Sequence, residues 1–236
     1  MSIKVYDKVA QGTEEWFKLK WAKVGGTASS GLFTESETLF LSLLGDSVED
    51  FQLDESFQSK EMLRGSELEP VARQQLSEYT GHNFIEVGWI QNLDRKLLGI
   101  SPDGITSDFT IGCEIKCLGA KNYLKTVLED KIPREHIHQC IHYFTVNPKL
   151  QHLYYCCFRP ENKLKPLFVK ELTRNTMVDI GRVIKGKIKE DRGNGIKDYV
   201  CNLPDMKTVS EWVKIAEIEA DKIKVRLNES IIKLNF

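Results

Sequence analysis

The spacing of apolar residues changes period twice along the chain, and those changes restrict the fold more than any single residue does. Between about 58 and 80 apolar residues recur at helical spacing, with Leu68, Ala72, Leu76 and Tyr79 on one face and Gly81 closing the run. Beyond Gly81 come short stretches rich in β-branched and aromatic residues, at 84–90, 96–101 and 111–117. Turn signals part them, Asn92-Leu93-Asp94 and Pro102-Asp103-Gly104. Helical spacing returns over 119–129 and, just after Pro133, over 134–146; strands follow at 152–159 and 166–172. The order helix, three strands, helix, strand specifies a layered α/β domain with a mixed sheet.

Around that core, about 58–175, the remainder reads as helical decoration of a single domain spanning 1–236. A first helix opens after Thr13, with Glu14 and Glu15 in its first turn, and Gly25-Gly26 breaks it. Thr27-Ala28-Ser29-Ser30 reads as the cap of a second, short helix. A third helix is expected at 36–44, followed by a loop. Residues 35–55 hold seven acidic residues and no Lys or Arg. The N-terminal helices thus occupy 10–45, and a C-terminal helical extension, broken at 193–195, occupies 176–236.

Composition excludes several classes. With 41% hydrophobic and 28% charged residues the chain can build a core and is not disordered. Lys plus Arg total 33 against 34 Asp plus Glu, so bulk charge does not hold nucleic acid, although a local basic groove can. No run reaches the ~18 apolar residues of a membrane span, and the start, MSIKVYDKVAQG, has no signal-peptide core. The expectation is a soluble, cytosolic protein. The six cysteines all lie at or beyond position 113 without CxxC spacing, which points to reduced core thiols and not to a zinc or iron–sulfur framework.

The chemistry concentrates in Ser101-Pro102-Asp103-Gly104 and Cys113-Glu114-Ile115-Lys116-Cys117. Side chains alternate along a strand, so Glu114 and Lys116 share one face and Cys113, Ile115 and Cys117 the other. A hairpin between the two stretches places Asp103 beside Glu114. Two adjacent carboxylates repel unless a cation lies between them, and their hard oxygens suit Mg²⁺ or Mn²⁺. An adjacent Lys can hold a water or offset charge on a phosphate. The inventory is that of metal-dependent phosphodiester hydrolysis. Glu-x-Lys also occurs at Glu129 and Glu161, in polar surroundings; only Glu114 lies in an apolar strand. The competing reading is a cross-strand ion pair on an exposed sheet face.

Six stretches in order, Gln11-Gly12-x3-Trp16, Thr27-Ala28-Ser29, Gly65-x3-Glu69-x2-Ala72, Ser101-Pro102-Asp103-Gly104, Glu114-x-Lys116-Cys117 and Gln139, resemble the phage lambda exonuclease family, the YqaJ-type viral recombinase nucleases. That family belongs to the PD-(D/E)XK nucleases, whose restriction-endonuclease-like core runs αβββαβ. The resemblance covers about 10–160. It implies that Asp103, Glu114 and the backbone carbonyl of Ile115 bind Mg²⁺, with Mn²⁺ as substitute, that Glu69 assists metal or water, that Lys116 activates or positions the water, and that Gln139 orients the nucleophile. Ser101 would support the site from behind.

It further implies a 5′-to-3′ exonuclease on double-stranded DNA ends that leaves a 3′ overhang. The family forms a homotrimeric ring around the DNA and works beside a single-strand annealing protein, here in a phage or prophage host. Thr27 and Ser29 would seat the 5′-phosphate at a helix start. The family's arginine after the Gln-Gly-x3-Trp segment is replaced by Lys20, with Lys23 nearby, and Lys lacks the bidentate phosphate grip of Arg. In a ring, Lys20, Lys23 and part of the run Lys185, Lys187, Lys189 and Arg192 would face inward, and the acidic 35–55 segment outward. The alternatives are a PD-(D/E)XK endonuclease of restriction or repair type and a DNA-binding module without catalysis. His138 and His142 have the i, i+4 spacing of a zinc pair but no third ligand in sequence. Trp16 and Trp21 suit either base stacking or packing.

Overall fold

The computed structural model describes residues 2–53, 59–189 and 196–235, with backbone alone for 182–189 and 196–202. Its centre is a four-stranded sheet in the order β4 (Gly104–Ile105), β5 (Ile111–Lys116), β6 (His152–Phe158), β7 (Leu167–Thr173). β5 and β6 run parallel and the two outer pairs antiparallel, so the sheet is mixed. The β5-to-β6 crossover carries α4 (Ala120–Glu129) and α5 (Arg134–Val146), as a parallel pair requires.

Strand parity sorts the core into two layers. Leu153, Tyr155 and Cys157 of β6 face the larger cluster with Ile141, Tyr143 and Phe144 of α5, which continues to Trp212, Val213 and Ala216 of the C-terminal helix α6 (Val209–Leu234). Cys156 and Phe158 face the opposite cluster, with Cys113 and Ile115 of β5 and Ala72 and Leu76 of α3 (Lys60–Thr80). β6 is apolar on both faces because both are covered. Cys113, Cys140, Cys156 and Cys157 are free thiols buried in these layers, and Cys117 is half-buried and free.

Several sequence expectations match. Thr13 caps α1 (Glu14–Lys20) by accepting the Trp16 N–H, and Ser59 caps α3 likewise through Met62. Gly81 ends α3 at φ +74°, where an L side chain is strained. The acidic segment forms α2 (Glu37–Val48), longer than the 36–44 expected, and leans on α6 through Glu37–Arg226 and Glu35–Lys222 pairs.

Other expectations need correction. Tyr79 is 69% exposed and does not share the buried face of α3. α1 stops at Lys20, well before Gly25-Gly26. The strand expected at 84–90 is β2 (Trp89–Asn92), with Ile85 only bridged to Ile105; that at 96–101 shrinks to β3 (Gly99–Ile100). Both join β1 (Ile3–Tyr6), which periodicity had not singled out, in a separate antiparallel sheet β1-β2-β3. The expected helical extension from 176 is mostly sheet before Val209: β8 (Met177–Asp179) pairs with β11 (Met206–Thr208), and β9 (Arg182–Lys189) with β10 (Ile196–Leu203). The β-branched Val183, Ile184 and Ile188 favour extended backbone there. Lys185, Lys187 and Lys189 thus occupy alternate positions of a strand, not a helix face. Arg192 and the break at 193–195 lie outside the described residues.

Candidate active site

The Ser101-Pro102-Asp103 segment crosses from one sheet to the other: β3 ends at Ile100 and β4 begins at Gly104. Gly104 pairs with Cys113, which sets Asp103 beside Glu114 and Ile115. The Ile115 N–H donates to Asp103 Oδ2 at 2.6 Å. Gly104 is required by crowding, since a Cβ there would stand 2.7 Å from Cys113 Sγ and 3.4 Å from Arg73 Cδ. Glu114 is 5% exposed, and its Oε1 lies 2.6 Å from Lys116 Nζ. A carboxylate this buried is not a surface pairing, so the exposed-face ion pair no longer describes it.

Glu69 approaches from α3, and its Oε1 accepts from Arg73 Nη2 at 2.7 Å. Pro70 follows it and cannot donate to the helix ladder, so α3 continues past this carboxylate with one backbone bond fewer. Burial raises the Glu69 carboxyl above its usual range; Arg73 opposes this, and Glu86 and Glu114 add to it. Asp103 is pushed well up by burial, then by Glu114 and Glu69. For Lys116 burial acts downward, but Glu114 and Asp103 more than reverse it, so the ammonium keeps its proton.

Carboxylates crowded around Asp103, where Glu114 and Glu69 add to the effect of burial, are a donor set for a hard divalent cation. The residues present fit such an ion in chemistry. Among the described residues no three ligating side chains form a ready cage. Each carboxylate is engaged: Asp103 by Ile115, Glu114 by Lys116, Glu69 by Arg73.

The N-terminal segment packs against the same crossing. Gln11 Nε2 donates to the carbonyls of Val87 at 3.1 Å and Pro102 at 3.2 Å. Trp16 Nε1 faces Ser101 Oγ at 2.7 Å and the Gly88 carbonyl at 2.9 Å, and Ser101 Oγ donates to Gly88 at 2.8 Å. The Trp16 ring therefore has its polar edge committed to the segment carrying Asp103. Trp21 packs edge-on to Phe51. Lys20 Nζ sits 3.6 Å from the Trp16 ring centroid, and burial lowers its pKa to about 8. Lys23 Nζ donates to the Trp21 carbonyl at 3.3 Å and is also lowered by burial.

Thr27 and Ser29 require correction as a helix cap. They lie in a short 3-10 turn, Thr27–Phe33, whose cap residue is Gly26 without a side-chain bond. Thr27 is exposed. Ser29 is fully buried, and its hydroxyl donates to the Gly26 carbonyl at 2.6 Å. The turn packs tightly: a Cβ at Gly31 would stand 2.6 Å from Leu39 Cδ2. Gln139, half-buried on α5, lies against Gly26: a Cβ there would stand 3.6 Å from its Nε2.

His142 is fully buried, and its Nε2 faces the carbonyls of Gly99 at 2.9 Å and Val24 at 3.1 Å; burial lowers its pKa to about 4. That nitrogen is spent on the backbone, and the His138 ring leans on Phe33. Sequence reading passed over Arg73 and Tyr143, both of which touch the Asp103 main chain. The available signal was spacing: each lies four residues, one helical turn, after a residue that had been singled out, Glu69 and Gln139.

The family model described as the YqaJ-like viral recombinase domain matches residues 15–149, more than half of the chain. Two crystal structures of the alkaline exonuclease LHK-Exo from Laribacter hongkongensis, one in complex with dAMP, align over 94% of this chain and 96% of theirs. Their identity is 22%, with TM-scores of 0.69 for the dAMP complex and 0.70 for the other. No curated protein matches significantly. The likeness establishes the fold, a mixed α/β architecture of PD-(D/E)XK type. Among the described residues no helix is long and apolar enough to cross a membrane.

Proposed function

The chain belongs to the YqaJ-like viral recombinase family, and from that premise we propose that it is a metal-dependent 5′-to-3′ exonuclease on linear duplex DNA. It removes one strand from an end and leaves the 3′ overhang that recombination needs. The observation that carries this is Asp103 held beside the buried Glu114, with Lys116 paired to the latter. Asp103, Glu114, Glu69 and the Ile115 carbonyl would hold the cation, Mg²⁺ with Mn²⁺ as substitute, and the ion would supply positive charge and acidify a water. Hydrolysis adds a water oxygen to phosphorus, breaks its bond to the sugar 3′ oxygen, and releases that oxygen with a proton. The product is a 5′-mononucleotide, the class of molecule to which the dAMP bound by LHK-Exo belongs.

Lys116, paired with Glu114, would activate or position the attacking water and meet negative charge growing on the phosphate. Gln139, on α5, would help orient the attacking water. Lys20, Lys23 and Thr27 form the side that meets the 5′-phosphate, with Ser101 holding the wall behind. Ser29 contributes by shaping the turn, since its hydroxyl is spent. The working form in this reading is a homotrimeric ring around DNA, beside a single-strand annealing protein, in the cytosol of a phage or prophage host. Sedimentation giving a monomer would remove the ring.

The test uses linear duplex labelled at one 5′ end, closed circles, Mg²⁺ or EDTA, and Lys116→Ala. Labelled mononucleotide is expected from linear DNA with Mg²⁺ only, about 100-fold or more slower in the variant. Internal fragments from closed circles would move the assignment to an endonuclease. Tight binding without cleavage would leave a DNA-binding module.

A further inference from the structure

β4 is two residues long, and its ladder with β5 ends at the Gly104–Cys113 pair. Asp103 therefore stands one residue beyond the last paired position, where a strand end frays most easily. Two side chains from different helices take hold of it there. The Asp103 N–H donates to Tyr143 Oη at 3.1 Å, and that hydroxyl donates onward to the Cys113 carbonyl at 2.9 Å. The phenol thus joins an N–H on one strand to a C=O on the next, as a ladder rung would. On the other side Arg73 Nε donates to the Asp103 carbonyl. The same guanidinium binds Glu69 at 2.7 Å and Glu86 at 3.2 Å, so its plane is fixed by three acceptors.

We infer that Arg73 and Tyr143 are positioning residues that clamp the Asp103 main chain from α3 and α5 and so set the metal-binding carboxylate. Tyr143 is 2% exposed and the Arg73 side chain 12%, so water does not substitute readily for either bond. A Cβ at Gly104 would stand 2.7 Å from Cys113 Sγ and 3.0 Å from Phe84 Cβ, so no side chain fits after Asp103, and the Arg73 stem passes beside the same position at 3.4 Å. Neither residue is free to reach substrate: Tyr143 is enclosed, and Arg73 is saturated by acceptors. Their effect passes through Asp103, and through Glu69 for Arg73.

This inference rests on Asp103 and Glu114 holding the metal, and the experiment separates the two ideas. Mn²⁺ binding is titrated without DNA, by calorimetry or by electron paramagnetic resonance, on wild type, Asp103→Asn, Tyr143→Phe, Arg73→Lys and Tyr123→Phe. Tyr123 is an equally buried tyrosine whose hydroxyl donates to the Lys165 carbonyl, so its variant makes the same chemical change elsewhere. Weakening of Mn²⁺ binding by about 10-fold or more is expected for Tyr143→Phe and Arg73→Lys. Tyr123→Phe should stay within about 2-fold while lowering the melting temperature comparably. Under Mg²⁺, kcat should fall in the two clamp variants with little change in KM for DNA. Arg73→Lys carries the test if Tyr143→Phe does not fold. Wild type without Mn²⁺ binding, or Asp103→Asn binding as tightly, would overturn the metal site and the clamp with it. Wild type and Tyr143→Phe binding alike, with Arg73→Lys also unchanged, would overturn the clamp alone.

Discussion

Lys20 shows how burial can tune one charge for a task. Its ammonium lies on the Trp16 ring, which favours the cation, yet desolvation brings its pKa to about 8. A folded pKa below the unfolded value means that the unfolded chain holds the proton more tightly between about 8 and 10.5, so stability from this group rises with pH across that window. Anion binding runs the other way. Affinity for a 5′-phosphorylated DNA end should fall about tenfold per pH unit above 8, and a 5′-hydroxyl end should show no such slope. Fluorescence anisotropy from pH 7 to 9.5 reads this, and Lys20→Arg should flatten the curve; equal slopes for both ends would remove Lys20 from the phosphate pocket. Hairpin arithmetic and strand parity made Asp103, Glu114 and Lys116 legible in the sequence. Ser29 was not, because the burial of its hydroxyl against the Gly26 carbonyl is set by tertiary packing, which no local pattern records.

At the scale of elements, α6 is the best-delimited helix in the chain. Thr208 Oγ1 accepts the Glu211 N–H at 3.2 Å, and Glu211 Oε2 accepts the Thr208 N–H at 2.8 Å, closing a capping box. Thr208→Ala should cost about 1 kcal/mol in urea unfolding and leave DNA digestion unchanged. A loss of activity with unaltered stability would instead tie α6 to the chemistry. The Thr-x-x-Glu signature was present in the sequence, and the helical reading from 176 ran past it. The error lay in reading 176–208 as helix, where the chain forms β8 to β11. Lys185, Lys187 and Lys189 recur every second residue, which is the period of a strand. The short strand β4 was illegible for another reason: two residues carry no period, and their pairing is decided by a partner strand.

For the whole molecule, the order helix, strands, helix, strand was enough to specify a layered α/β domain. The separate β1-β2-β3 sheet was not legible, since its first strand lies more than eighty residues from its partner β2. What that sheet shares with the central one is the crossing at Ser101-Pro102-Asp103, steadied from the chain's beginning by Gln11 and Trp16. The consequence is genetic. Inactive but well-folded alleles should arise not only at the reacting residues but also at positions 11 and 16, over ninety residues upstream of Glu114. A saturation screen scoring cellular abundance and DNA degradation separately should place Gln11→Ala and Trp16→Phe among variants that stay abundant and lose degradation. Loss of abundance in step with loss of degradation would mark them as ordinary packing residues. The phenotype of this active site is thus expected to map across the gene, over a much longer stretch than the one that encodes its acids.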